Sequence, residues 1–158
     1  MCVRRLNKLS VFVLSGFASM LGSCYSENSS STLIDIPDTS SNIAVLSVEG
    51  SSTVNFGTVT PNASADQTIT IKNSGYYTAT EIGESSTEAL SAPFLFKGGT
   101  FPGTGGTCTS RLDKDATCTV VVSFSPTEAS SHEATLSISY IDGVTRTTLR
   151  ITLTGLSS

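Results

Sequence analysis

The sequence predicts an all-β domain of two packed antiparallel sheets, and three observations carry that prediction. From Ile43 onward, runs of alternating or β-branched residues recur between clusters of turn formers. The C-terminal runs alternate cleanly. Ala134, Leu136, Ile138 and Tyr140 share one face, and Leu149, Ile151 and Leu153 share one face of the next run. Opposite them lie Glu133, Thr135, Ser137, Ser139, Arg150, Thr152 and Thr154, a pattern that belongs to antiparallel sheets with one wet face. Finally, no stretch after residue 24 holds an apolar period of 3.6 over three turns. The segment from Glu81 to Leu90 has room for one helical turn at most.

Taken in order, the expected strands lie near 43–48, 53–59, 67–72, 78–82, 94–97, 118–124, 133–141 and 145–154. Asn73-Ser74-Gly75 and Asp142-Gly143 mark turns, the second closing a hairpin between the last two strands. The run Cys118 to Phe124 is rich in β-branched residues and stops at Ser125-Pro126. Its parity sends Cys118, Val120, Val122 and Phe124 toward a core, and Thr119, Val121 and Ser123 the other way. Seven or eight short strands in about 112 residues fit a sandwich of immunoglobulin type, with a small closed barrel as the alternative. The chain has no Trp, so the core is built from Val, Ile, Leu and Phe.

The first 23 residues form a different unit. Arg4, Arg5 and Lys8 open it, and Leu9 to Leu21 is mostly apolar and uncharged. That stretch suits the apolar region of a signal peptide, whereas a spanning helix needs about 20 residues. Leu21-Gly22-Ser23-Cys24 resembles the lipobox of bacterial lipoproteins. The resemblance implies cleavage before Cys24 and diacylglyceryl transfer to its sulfur. The alternative is an ordinary secretory signal with an incidental Cys24. Tyr25 follows, with no Asp there, which by analogy with enterobacterial sorting favours the outer membrane. Residues 24–42 are Ser-rich and lack periodicity, so they form a tether. As a coil its ends lie roughly 23 Å apart, and fully stretched about 60 Å. Leu33, Ile34 and Ile36 are the exception, a short apolar segment able to dock on the domain.

Formal net charge is −4, and removing the first 23 residues leaves six basic against thirteen acidic residues. Such a chain lacks the clustered Lys and Arg that follow phosphate backbones, so nucleic acid is not an expected partner.

The ordered set Val54-Asn55-Phe56-Gly57-Thr58-Val59, Thr68 to Gly75, Phe101 to Cys108, Cys118 to Pro126, and Leu153-Thr154-Gly155 resembles the bacterial "choice-of-anchor D" domain. That domain is itself similar to the Hydin-type (ASH) and major-sperm-protein-like immunoglobulin folds. The resemblance covers about residues 44–156 and implies a seven- or eight-stranded sandwich used as an extracytoplasmic module, often in tandem. Here there is one copy.

Cys108 and Cys118 are the only cysteines after Cys24. An export signal implies an oxidising compartment, so a disulfide is expected between them. Two thiols with no His partner make a poor zinc site. Gly98 to Gly106 has the glycine content of a phosphate loop but lacks the Gly-Lys-Ser/Thr ending and opens no helix. Its glycines are expected to permit positive φ in a connection.

His132 is the sole histidine, expected in a solvated turn, and no Ser sits in a Gly-x-Ser-x-Gly elbow. Asp113-Lys114-Asp115 falls short of a calcium site and is expected at the tip of the disulfide loop. Tyr76 and Tyr77 are the candidate contact residues, although alternation sends one of them inward.

No catalytic, cofactor or metal site is expected. The expected function is a non-catalytic, lipid-anchored envelope protein that binds an envelope or surface protein through a loop end or sheet edge. The alternative is an accessory carbohydrate-binding or enzyme-associated module.

Overall fold

The computed structural model describes residues 42–158. The expected signal peptide, Cys24 and the tether with Leu33, Ile34 and Ile36 lie outside the described residues.

Nine strands form two sheets: β1 (Leu46–Val48), β2 (Thr53–Val59), β3 (Ala65–Asn73), β4 (Ala79–Glu84), β5 (Phe94–Phe96), β6 (Arg111–Leu112), β7 (Thr117–Phe124), β8 (Ser131–Ile141) and β9 (Arg146–Ser157). A four-stranded sheet runs β1-β3-β7-β5 and packs on a five-stranded sheet, β2-β9-β8-β4-β6. No described residue is helical, so the fold is the expected immunoglobulin-like β-sandwich.

The hairpin has the expected register, with Ala134 opposite Leu153, Leu136 opposite Ile151 and Ile138 opposite Leu149. Leu136, Ile138, Ile151 and Leu153 are fully buried. On β7, Val120, Val122 and Phe124 are fully buried and Cys118 nearly so. From the facing side β2 contributes Phe56. The rings of Phe56, Phe94 and Phe124 meet with centroids 5.3, 5.8 and 4.7 Å apart. Burying one such ring stabilises by about 1.5–3 kcal/mol.

Four details differ from the expectation. Two residues, Arg111–Leu112, add a short ninth strand at the edge beside β4. β4 runs on to Glu84 and is followed by turns, so Glu81–Leu90 holds no helical turn. The pair β2–β9 is parallel, because β1 joins one sheet and the chain crosses at Glu49–Ser52 to lay β2 in the other. Fourth, Val121 is buried although it faces away from the main core.

The segment between β5 and β6 explains that burial in part, since it runs along the edge of β7. Lys97 N–H donates to the Val121 carbonyl (3.0 Å), Val121 N–H to the Pro102 carbonyl (2.8 Å) and Thr107 N–H to the Thr119 carbonyl (2.9 Å). Gly103 permits this approach: a Cβ there would stand 2.1 Å from the Val121 oxygen. Cys108–Cys118 is a disulfide with Cα atoms 4.8 Å apart, and it pins this segment to the start of β7 as expected. Gly98, Gly99, Gly103 and Gly105 all have positive φ, the connecting role expected of them.

Candidate functional site

Four loops meet at one end of the sandwich: 42–45, 73–78, 112–116 and 142–145. Two buried polar residues hold them together. Asn73 ends β3 and is fully buried. Its Oδ1 accepts from the N–H groups of Val45 (3.1 Å) and Gly75 (3.1 Å). Its Nδ2 donates to the carbonyls of Tyr77 (2.7 Å) and Leu112 (3.1 Å). All four hydrogen-bonding positions of the amide are thereby used. Its main chain bonds Ala116 and Asp115 as well. Asp142, also buried, accepts at Oδ1 from Val144 N–H and Thr145 N–H, each at 2.8 Å. These backbone donors hold its carboxyl below the usual Asp range. Ala44 N–H donates to the Asp142 carbonyl at 2.7 Å.

Gly75 closes the assembly. A Cβ there would stand 2.3 Å from the Ile43 carbonyl oxygen, and Tyr76 N–H donates to that same oxygen at 2.8 Å. The backbone under Tyr76 and Tyr77 is thus fixed from several sides.

Both tyrosines point outward, Tyr76 at 63% and Tyr77 at 54% exposure. The expectation that alternation would bury one is corrected: β3 ends at Asn73 and β4 begins at Ala79, so the pair lies in a connection outside the pleat. Val144, 75% exposed, lines one depression with Asn42, Tyr77 and Gly143. Lys114 Nζ stands 4.6 Å from the Tyr76 ring centroid. Asp113 is held by Thr78 Oγ1 (2.9 Å) and pairs with Arg111 (2.9 Å), which together keep its carboxyl below the usual range.

The second surface is the outer face of the five-stranded sheet. Arg146, Thr148 and Arg150 on β9 and Glu133 and Thr135 on β8 are exposed, whereas Ser137, expected on this wet face, is fully buried and donates to Glu88. By contrast Thr119, Val121 and Ser123, on the outer face of β7, are half-buried, buried and half-buried.

Two depressions lie on the open face. Glu81, Glu84, Ser139, Arg146 and Thr148 line one, with Ser85 to Thr87 at its rim. Asn55, Ser131, Glu133, Thr154 and Leu156 line the other, beside His132 and Gly155. Ion pairs Glu81–Arg146 and Glu88–Arg150 cross the face. Glu88 also accepts from Ser137 Oγ at 2.7 Å. Arg150, with help from Ser137, holds the Glu88 carboxyl below the usual Glu range. Glu81 takes φ 51°, in the left-handed region, at the irregularity between Thr80 and Gly83.

His132 is not in a solvated turn. It lies on β8 opposite Gly155, with its ring 5.5 Å from that of Phe124 and Nε2 buried. Parity carries the reason, since His132 is in phase with Ala134 and Leu136 and is drawn toward the core with them. Asp113, Lys114 and Asp115 lie in the connection between β6 and β7. Among the described residues no group of three or more His, Cys, Asp or Glu is placed to hold a metal ion.

No protein-family model matches the chain, and comparison with curated proteins finds no match. Solved structures do resemble it. The VesB protease of Vibrio cholerae superposes with TM-score 0.55 at 16% identity, over 70% of this chain and 31% of that one. The ASH/PapD-like domain 7 of human CEP192 superposes with TM-score 0.51 at 17% identity, over 72% of this chain and 84% of that one. A protein of unknown function from Porphyromonas gingivalis W83 superposes with TM-score 0.53 at 13% identity, over 77% and 51%. This chain therefore spans about a third of the protease and half of the Porphyromonas protein. At these identities the likeness concerns the fold alone, an immunoglobulin-like β-sandwich.

Proposed function

We propose that this chain is a non-catalytic, lipid-anchored protein of the bacterial cell envelope whose sandwich, a relative of the choice-of-anchor D domains, is a protein-interaction module. Cys24 carries the lipid, and Tyr25 after it favours the outer membrane. The partner is an envelope or surface protein, and it docks on the open face of the five-stranded sheet.

The observation that carries this reading is the contrast between the two sheet faces. On the four-stranded sheet Thr119, Val121 and Ser123 of β7 are half-buried or buried and the exposed residues lie on the flanking β3 and β5, while β8 and β9 of the five-stranded sheet present exposed charged and hydroxyl side chains on either side of buried Ser137, around two depressions. The sheet edges are poor alternatives. β1 and β5 offer three residues each and β6 two, and β2 is interrupted by an irregularity between Asn55 and Thr58. Short or bulged edges resist the addition of another strand.

A charge reversal on the face tests the reading. Arg150→Glu should abolish co-purification of an envelope protein that wild type retains after membrane solubilisation, without changing the melting temperature by more than a surface substitution does. Equal capture by both proteins contradicts it. Cys24→Ala should release the protein from membranes; a variant that still sediments with them contradicts the anchor.

A second reading, an accessory carbohydrate-binding module, draws on the hydroxyl and carboxylate lining of the Glu81–Thr148 depression. A glycan-array signal lost in Glu84→Gln would favour it.

A further inference from the structure

The end of the sandwich that displays Tyr76 and Tyr77 is also the end at which the described chain begins. Asn42, its first residue, lines the same depression as Tyr77 and Val144. We propose that this end lies against the bilayer surface, with Tyr76, Tyr77 and Val144 seated among lipid headgroups and Lys114 reaching alongside them. The proposal rests on the reading of Cys24 as the lipid anchor.

Three arguments select a lipid surface as the occupant. The first is connectivity: the described chain begins at this end with Asn42, and the sequence before it leads back to Cys24 only 18 positions away. The second is chemistry. Tyrosine concentrates at membrane–water interfaces, where its ring and hydroxyl are both satisfied. A lysine stem packs along apolar surface while its ammonium reaches the polar layer. The third is size and rigidity. Two tyrosines and one valine are too few for a protein interface of standard extent, about 800 Å² per partner. They suffice to add to acyl chains already inserted. Because Asn73 and Asp142 fix the backbone beneath them, little ordering remains to be done on contact.

The charge of this end sets the lipid class. Asp113 and Asp115 flank Lys114, so attraction to anionic headgroups does not drive contact, and a zwitterionic surface suffices. In this orientation the strands stand away from the membrane. The open face of the five-stranded sheet then remains accessible from the side.

The test uses the full-length lipidated protein in phosphatidylcholine nanodiscs that carry a gadolinium-chelated headgroup. Amide relaxation enhancement should concentrate at Tyr76, Tyr77, Lys114 and Val144, and be absent at Asn62 and Glu128 in the loops of the far end. Tyr76→Ser/Tyr77→Ser/Val144→Ser should lose that contrast while remaining on the discs through its lipid. Equal enhancement at both ends in wild type overturns the orientation and leaves the anchor standing. Failure of wild type to associate with the discs overturns both. A photo-crosslinker at position 76 that captures a protein in native envelopes, with no lipid adduct, also overturns the proposal.

Discussion

Gly155 and Phe124 are in direct opposition across the sandwich. A Cβ built on Gly155 would stand 2.6 Å from Cε1 and 2.8 Å from Cζ of the Phe124 ring. Both are fully inside the core, and the Phe124 ring also meets Phe56, Phe94 and His132. Retreat of the ring would press on those neighbours. Gly155→Ala should therefore lower stability by about 1–3 kcal/mol through overpacking. Phe124→Leu in the same chain should recover part of the loss, so the double-mutant cycle in thermal melting should be non-additive.

Asn73 tests the rigidity of the tyrosine end. Asn73→Ala strands the N–H groups of Val45 and Gly75 and the carbonyls of Tyr77 and Leu112. Each buried group left unpaired costs about 1–3 kcal/mol. The variant should lose several kcal/mol, and amide exchange at Gly75, Tyr76 and Tyr77 should quicken more than at Leu136 or Ile151. Uniform acceleration would mean that Asn73 stabilises the domain without holding this end.

The disulfide closes a loop with a sequence separation of 10, worth roughly 2.7 kcal/mol in the chain-entropy model. Cys108→Ser/Cys118→Ser should show about that loss in denaturant midpoint at constant m-value. Exchange should rise first at Val121, whose N–H and carbonyl bond the segment that the bridge pins. Mass spectrometry of unreduced peptide should find no alkylatable thiol at either position.

Acid should weaken the fold in a defined sense. Asp66, Asp113, Asp142 and Glu88 all have folded values below their ordinary ones, held down by Lys97, Thr78, Thr145 and Arg150 first of all. A depressed folded value means that the unfolded chain binds protons more readily. The stability these groups contribute is full above the ordinary carboxylate values of about 3.9 and 4.3, and is lost as pH falls through the lower folded ones. Asp142→Asn should flatten the acid limb of a melting-temperature profile.

The parts of this fold that local periodicity dictates were legible in the sequence, and the parts that depend on distant partners were not. Alternation alone places Leu136, Ile138, Ile151 and Leu153 correctly, because one face of the hairpin is wet. The direction of β2 against β9 was hidden, since side chains alternate with period two in parallel and antiparallel pairs alike. β6 is two residues long and has no period to detect. His132 turns inward by its parity with Ala134, at the margin where the preceding turn gives way to β8. Asn73 reads locally as a turn former before Ser74-Gly75. Its bonds to residues 28 and 39 positions away leave no local trace. Gly155 carries no positive φ, and its reason is a ring on the other sheet.

The docking of a partner protein on the open face of the five-stranded sheet is tested most directly by site-specific photo-crosslinking in intact envelopes. A crosslinker at Thr135, exposed at the middle of that face, should yield one discrete protein adduct, and one at Asn62 in the far-end loop should not. Adducts of the same kind from both positions, or none from Thr135, would contradict it.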